Sequence, residues 1–440
     1  MPATPSHSRI FVRALDYYDE RARGLLAVLP DGGAQVLAQV RAWHPRFQGA
    51  SDEAVRTASL TLEDARLVYA RQHGFASWGD LGAHLAGLGT EPADEPFLVA
   101  FEAGRRGDWA KATAVLRARP EVLLEPGTNG NTLLNLACSL VACGLDGPGG
   151  AAGAHGGDGD RLAPIQLLLA AGADASQAND RGWTPLHQAA YRNDPEIAEL
   201  LLDAGARTDG YAHGEGGTPL AVALFWGHRE VADLLAQHDV APANLRVAAG
   251  LGWRGLLERC FDDGGTLTRE ARAGRAFYRP HSGFPAWRPS DDPQEVLDEA
   301  LVWAAKSGRT EAMALLVERG ARVDADPYRG TPLAWAAANG RADAVSWLLE
   351  HGADPNQRAT FGGPSHGERV TALHLAAQHD RADVVALLLS RGADAGAKDA
   401  NYDSTPAGWA REFGARAALA VLESDTHPRP RDDTASPDPS

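Results

Sequence analysis

A short string recurs along this chain at a nearly constant interval. Thr184-Pro185-Leu186-His187 returns as Thr218-Pro219-Leu220, Thr331-Pro332-Leu333, Thr371-Ala372-Leu373-His374 and Thr405-Pro406, and Thr132-Leu133-Leu134-Asn135 is a weaker copy. Thr184 lies 34 residues before Thr218, and Thr371 lies 34 before Thr405. A second string keeps step with the first: Gly172-Ala173-Asp174, Gly352-Ala353-Asp354 and Gly392-Ala393-Asp394 in full, Gly205-Ala206-Arg207 and Gly320-Ala321-Arg322 in part. Self-similarity at such a period marks a repeat array, in which each unit buries its apolar face against its neighbours.

Each string has a physical reason. Thr before Pro starts a helix, because the hydroxyl caps free amides and Pro suits the first helical position. Gly after a run such as Ala198-Glu199-Leu200-Leu201-Leu202 stops one by taking the left-handed conformation. Two short helices fit between the strings, as in Leu186–Tyr191 and Glu196–Leu202, followed by a turn carrying Asp180-Arg181-Gly182 or Tyr328-Arg329-Gly330. This pattern resembles the ankyrin repeat, a β-turn plus two helices per roughly 33 residues. The resemblance implies an all-α fold: an ankyrin-repeat α-solenoid.

Laid along the chain, the period gives about eight repeats over residues 93–425. The repeat that starts at Asn244 has lost its Thr-Pro-Leu signal, and the last, from Thr405, is short, as a capping repeat is. Three insertions interrupt the array: a glycine-rich stretch at 144–160, an aromatic and basic one at 270–293, and a lengthened turn at 358–370. The middle insertion holds Phe277, Tyr278, Phe284 and Trp287. A solvated linker would not carry that content, so it reads as a brace folded onto the array, with a partner-binding loop as the alternative. Residues 426–440 have almost no apolar content and are expected to be disordered.

Residues 1–92 carry no repeat and read as a helical module. Thr61 with Glu63 and Asp64 starts one helix, Gly74 ends it, and Ser77 caps the next, through Leu81, His84 and Leu85. His44-Pro45-Arg46-Phe47 and the Gly74-Phe75-Ala76-Ser77-Trp78 motif resemble the leader module of a family of bacterial ankyrin-repeat proteins. That resemblance implies an architecture and brings no catalytic residues.

Charge and composition narrow the function. The formal charge is -16 and the pI about 5.4, which argues against a nucleic-acid binder, since reading a phosphate backbone needs a basic surface. Cys138, Cys143 and Cys260 form no CxxC pair and suit a reducing compartment. The N-terminus lacks a secretory apolar core, and no stretch approaches a membrane span, so a cytoplasmic, membrane-free monomer is expected. No phosphate loop, nucleophile elbow or zinc-protease helix occurs. No metal or cofactor is expected; Asp158-Gly159-Asp160 lacks the ligand count of a calcium loop. His187 and His374 are assigned to tying adjacent turns together.

A solenoid binds through its concave face, made of turn tips and first helices, and interface hot spots favour Trp, Tyr and Arg. The projecting candidates are Tyr191, Arg192, Tyr211, Phe225, Trp226, Tyr328, Arg329, Trp335 and Tyr402. The expected function is a non-enzymatic scaffold or adaptor that binds a protein partner. The alternatives are a regulatory or immunity-type inhibitor of a partner enzyme, and an enzyme with a site around Arg279, His281 and Asp291 in the 270–293 insertion.

Overall fold

The computed structural model describes residues 14–29, 34–87, 96–119, 126–127, 130–141, 161–212, 216–238, 241–242, 244–275, 289–328, 330–360 and 369–425. Among these the chain is an all-α repeat solenoid without extended strands. It divides into two compact units. Unit 1 comprises Met1–Val247 and Thr266–Ser290; unit 2 comprises Ala248–Gly265 and Asp291–Ser440. Cys143, Arg279, His281, Arg329, the four aromatic residues of the middle insertion, the 144–160 insertion and the 426–440 tail lie outside the described residues.

Unit 1 opens with the leader module: α1 (Leu15–Val28), α2 (Ala34–Trp43), α3 (Asp52–Arg56), α4 (Leu62–Gln72) and α5 (Trp78–Gly87). Thr61 caps α4 through the Asp64 amide at 3.2 Å, and Asp64 returns the bond to the Thr61 amide at 2.8 Å. This reciprocal pair satisfies two otherwise orphaned donors. Ser77 caps α5 by accepting from the Asp80 amide, and Gly74 takes φ +84° between them. Leu25, Leu37, Val40, Phe47, Val55, Val68 and Tyr69 form one core, and Tyr18, Phe75, Leu81 and Leu85 a second.

The leader is bonded to the array. Gln39 Nε2 donates to Gln72 Oε1 at 2.8 Å, and Gln72 Nε2 donates to Asp180 Oδ2 at 2.5 Å. Asp180 sits in a turn that is itself fixed: Asn179 Oδ1 accepts from the Arg181 and Trp183 amides, and its Nδ2 donates to Asn131.

The helix pairs follow. In unit 1 they are α6 (Pro96–Arg105) with α7 (Trp109–Ala118), α8 (Leu133–Val141) with α9 (Ala163–Ala170), α10 (Pro185–Arg192) with α11 (Pro195–Asp203), and α12 (Pro219–Trp226) with α13 (Arg229–His238). The boundary between units falls inside α14 (Leu245–Leu251), which is followed by α15 (Arg254–Glu258). Unit 2 continues with α16 (Pro293–Ser307) and α17 (Thr310–Glu318), α18 (Pro332–Ala338) and α19 (Ala342–Glu350), α20 (Ala372–Gln378) and α21 (Ala382–Ser390), and α22 (Pro406–Glu412) and α23 (Arg416–Asp425). First helices stack on first helices in each unit, α8 on α10 on α12 and α16 on α18 on α20 on α22. Small side chains permit that approach: Ala189, Ala190, Ala336, Ala337, Ala376 and Ala377 are fully buried.

The repeated strings act as their chemistry requires. Thr184, Thr218, Thr331 and Thr405 each accept from the amide three residues on, a cap that stabilises a helix by about 1 kcal/mol. Gly172, Gly205, Gly320, Gly352 and Gly392 have φ between +82° and +99°. At Asn244 the missing threonine is replaced, since Asn244 Oδ1 accepts from the Arg246 and Val247 amides. Gly182 has a further constraint: at φ +76°, a Cβ there would collide with the Tyr211 carbonyl.

The stem of the middle insertion is pinned within unit 1. Arg246, 1% exposed, donates to the carbonyls of Gly274 at 2.7 Å and Arg275 at 3.4 Å. Asn244 Nδ2 donates to the Ala273 carbonyl, and Arg275 Nη1 closes the stem on the Ser290 carbonyl at 2.6 Å.

Successive repeats are joined by buried histidines. The Thr184 amide donates to His187 Nδ1 at 3.1 Å, which leaves the ring proton on Nε2, and that nitrogen donates to the Gly217 carbonyl at 2.9 Å. His374 repeats the geometry with the Thr371 amide and the Ser404 carbonyl. A proton on Nδ1 would oppose the threonine amide, and the rings are fully buried. Burial accordingly pushes the His187 pKa down to about 4 and lowers that of His374. Because the unfolded chain binds the proton more readily, this stability is complete above the ordinary value of 6.5 and is lost as pH falls toward 4. The His187 contribution is about 3 kcal/mol. The urea midpoint should therefore drop over that window. His187→Gln should be less stable than wild type near neutrality and show a flatter pH dependence; an unchanged slope would refute the assignment.

Candidate partner-binding surface

The candidates divide between the two units. In unit 1, Tyr191 and Arg192 end α10 and Trp226 ends α12, all half-buried. Their rings form a chain of edge contacts: Trp183 to Tyr191 at 6.1 Å, Tyr191 to Trp226 at 5.5 Å, and Trp226 to Phe225 at 5.2 Å between centroids. The Arg192 guanidinium lies 5.2 Å from the centre of the Tyr191 ring. Adjacent first helices thus bring Tyr191, Arg192 and Trp226 together; Arg192 and Trp226 each lie eight residues after the capping threonine of their repeat. Phe225 points the other way and is a correction: it is 1% exposed and belongs to the core. Tyr211 stands at the next turn, 56% exposed, where the Ala212 amide bonds back to the Gly217 carbonyl.

In unit 2 the turns carry the candidates. Asp326 Oδ1 accepts from the Gly330 amide, and its Oδ2 accepts from the amide and hydroxyl of Thr360 in the next turn, all at 2.8 Å. Half-buried Tyr328 sits inside that loop. Arg358 then bridges onward, donating to the Arg369 carbonyl at 3.0 Å and the Lys398 carbonyl at 2.6 Å. Successive turn tips are therefore bonded to each other in series.

Tyr402 is the most exposed aromatic residue among those described, at 70%. Its turn is organised by one carboxylate. Asp399 Oδ1 accepts from the Asn401 and Tyr402 amides at 2.8 and 2.7 Å, and Oδ2 accepts from the Ser404 amide at 3.2 Å and the Trp409 indole at 2.9 Å. Burial alone would raise the Asp399 pKa. The four donors override it and hold the carboxyl below its ordinary range.

Trp335 is a second correction. Expected to project, it is 3% exposed and packs with Val302, Ala338, Val370, Leu375 and Trp409. The Lys306 ammonium, itself 2% exposed, lies 3.7 Å from the centre of its ring. A desolvated cation–π pair of this kind stabilises by about 2 kcal/mol, so Trp335 holds repeats together. The sequence reading passed over Trp253 and Phe413, 40% and 56% exposed. Phe413 follows Trp409 by four residues and caps the C-terminus of α22. That spacing was the available signal.

Among the described residues no three His, Cys, Asp or Glu side chains are arranged to hold a metal ion, and no helix is long and apolar enough to cross a membrane. Cys138 and Cys260 are buried thiols raised by desolvation, Cys260 to about 11, which leaves them protonated and poor nucleophiles.

Comparison with known families assigns the repeat. The description "Ankyrin repeats (3 copies)" matches residues 156–245 and 289–359, and "Ankyrin repeat" matches 369–400. The chain carries ankyrin repeats. Among curated proteins it is similar to human Ankyrin repeat and SOCS box protein 16, 39% identical over 97 residues, covering 22% of this chain and 19% of that protein. It is also similar to bovine SMC5-SMC6 complex localization factor protein 1, 38% identical over 79 residues, or 18% and 7% of the two chains. Mouse Protein phosphatase 1 regulatory subunit 27 is 42% identical over 55 residues, or 12% and 35%. In each case the match spans about a third or less of the relative's length.

If Asp399 alone organises the Tyr402 turn, Asp399→Ala should loosen it locally. Amide exchange at Asn401, Tyr402 and Ser404 should accelerate while the helical circular dichroism is retained. Unchanged exchange at those amides would show that the turn is held otherwise.

Proposed function

We propose that this protein is a non-catalytic interaction scaffold or adaptor, binding a protein partner through its turn tips and the first helices behind them. The observation that carries the reading is Tyr402, 70% exposed on a turn that Asp399 fixes with four hydrogen bonds. An exposed aromatic ring on a rigid support binds without a large ordering cost, and Tyr is among the side chains that dominate interface energies. Tyr328 and Arg329 accompany Tyr402 in unit 2, and Tyr211 with the Tyr191–Arg192–Trp226 cluster forms the proposed surface of unit 1; Trp335 is left out. The net charge of -16 favours a protein over a nucleic acid as partner. The reading further includes a cytoplasmic monomer, a leader of the bacterial type that its Gly74–Trp78 motif resembles, and the 270–293 insertion as a brace, supported by its pinned stem. The three relatives cited are mammalian, and a bacterial origin rests on the leader motif alone.

A second reading is favoured by one specific finding, the similarity to a protein named as a phosphatase regulatory subunit. In it, the partner is an enzyme whose activity the bound repeats modulate. The enzymatic alternative has no support among the described residues: Asp291 is an exposed loop carboxylate.

Capture of partners from native lysate by the full chain tests the proposal. Wild type should retain a stoichiometric protein, and Tyr328→Ala/Tyr402→Ala should lose it by about tenfold or more, the loss of one strong hot spot being at least 1.4 kcal/mol. Full retention by the double variant would refute the turn-tip surface. Activity of a co-captured enzyme, measured with and without this chain, separates regulator from scaffold.

A further inference from the structure

His73, which ends α4, is a buried histidine outside the repeats. It stands where the leader meets the array, since the residue before it, Gln72, donates to Asp180 Oδ2 at 2.5 Å. His73 is 4% exposed, and its Nδ1 lies 2.7 Å from the Tyr69 carbonyl. A carbonyl can only accept, so Nδ1 carries the proton and Nε2 is left with a lone pair. Nε2 is buried and has no hydrogen-bond partner among the described residues. The Tyr18 ring, itself fully buried, packs edge-on against the imidazole, 5.1 Å between centroids.

A neutral ring fits this site and a charged one does not. On protonation Nε2 gains a hydrogen that needs an acceptor, and none is in place. A buried donor left unpaired is costly, and a buried charge more so. The surrounding groups do not offset this. From α1 come the Tyr18 ring and the Arg21 charge, which is of the same sign as an imidazolium. From the array comes Asp180, the carboxylate that acts on the ring, already bonded to Gln72. The one ionisable side chain of α2, Arg41, is paired with Asp52 at 2.9 Å. On α5, Asp80 accepts from Ser77 and the His84 ring packs on Phe75. On α4 itself, Asp64 is paired with His44 and Arg66 with Asp19. Burial therefore dominates and lowers the His73 pKa; the Tyr69 carbonyl and Asp180 oppose the shift, and Arg21 adds to it.

We propose that His73 makes the leader's attachment to the array an acid-released latch: a proton on Nε2 is accommodated only when the end of α4 leaves its contacts with Tyr18 and with the Asp180 turn. Gln72 is adjacent in the chain, so the same movement breaks its bond to Asp180. The sign follows from linkage. Released His73 takes up a proton at the ordinary value of 6.5 and docked His73 only below it. The docked leader is thus fully stable above 6.5 and loses stability as pH falls beneath it. One consequence rests on the turn-tip reading above: release returns the Asp180-Arg181 tip to the turn tips open to a partner. The latch itself needs no partner, so either can fail without the other.

Amide exchange on the full chain, corrected for its intrinsic pH dependence, tests the latch between about pH 7 and about pH 5, the range in which histidine changes charge. In wild type the amides of His73, Gly74 and Phe75, bonded to the carbonyls of Tyr69, Arg71 and Ala70, should exchange faster by up to about tenfold per pH unit, one proton being taken up on release. The amides of α10 should keep their protection, because His187 stays neutral down to about 4. His73→Phe keeps a ring against Tyr18, and the Tyr69 carbonyl keeps the backbone amide of residue 73 at 3.2 Å; its leader should stay protected across the range. The His73 ring signals give a second measurement that needs no variant at this position. They should titrate below 6.5 in wild type. In Asp180→Asn they should titrate lower still, since the new side chain can accept from Gln72 without the charge that favours the imidazolium. Flat exchange in wild type, equal acid loss of protection in His73→Phe, loosening of α10 together with the leader, or a ring titrating at or above its ordinary value would each overturn the proposal.

Discussion

Several repeats in this chain are bonded to the backbone of a neighbour, and the array depends on those bonds. His187 and His374 accept from the capping threonine's amide on one ring nitrogen and donate to the following turn on the other. His228 reaches back to the Ala190 carbonyl, and Arg309, Arg341 and Arg381 reach back to Gly250, Lys306 and Ala338. Helices of seven to nine residues are too short to be stable alone. What keeps them folded is that their ends are satisfied by neighbours and their faces buried by them. The pH sensitivity belongs to the same device, since the bridging imidazole must stay neutral to accept and donate at once.

That device also explains where function can be placed. The inner faces of the repeats are committed to stacking, which is why Phe225 and Trp335 are core residues although they look like interface anchors. Turn tips are free of that commitment. They are stiffened separately, by Asn179, Asp326 and Asp399, and linked in series by Thr360 and Arg358. Rigid loops on a rigid scaffold are where binding residues concentrate, and Tyr402 stands on the clearest example. The leader uses one such tip for itself, through Asp180.

Local chemistry was legible in the sequence. Thr61, Ser77, Thr184, Thr218, Thr331 and Thr405 cap the helices that their spacing predicts, and the glycines of the second string take positive φ, because a cap or a left-handed residue acts within four positions of itself. The tie made by His187 was legible for the same reason on one side, and by the regularity of the period on the other. Phe413 could have been read from its four-residue spacing to Trp409.

The sequence by itself determined the repeat, its period, the all-α solenoid and the acidic character that favours protein partners, since these follow from patterns that recur or sum along the chain. Only the tertiary structure decided which aromatic side chains are buried. Trp335 is covered by Lys306 from the repeat before it and clusters with Val370 and Leu375 of the repeat after it, so its exposure depends on how successive repeats stack and not on its own neighbours in the chain. The same holds for the leader. The Gln72–Asp180 bond joins positions 108 residues apart, and no period relates a helix that lies outside the repeats to the turn it meets.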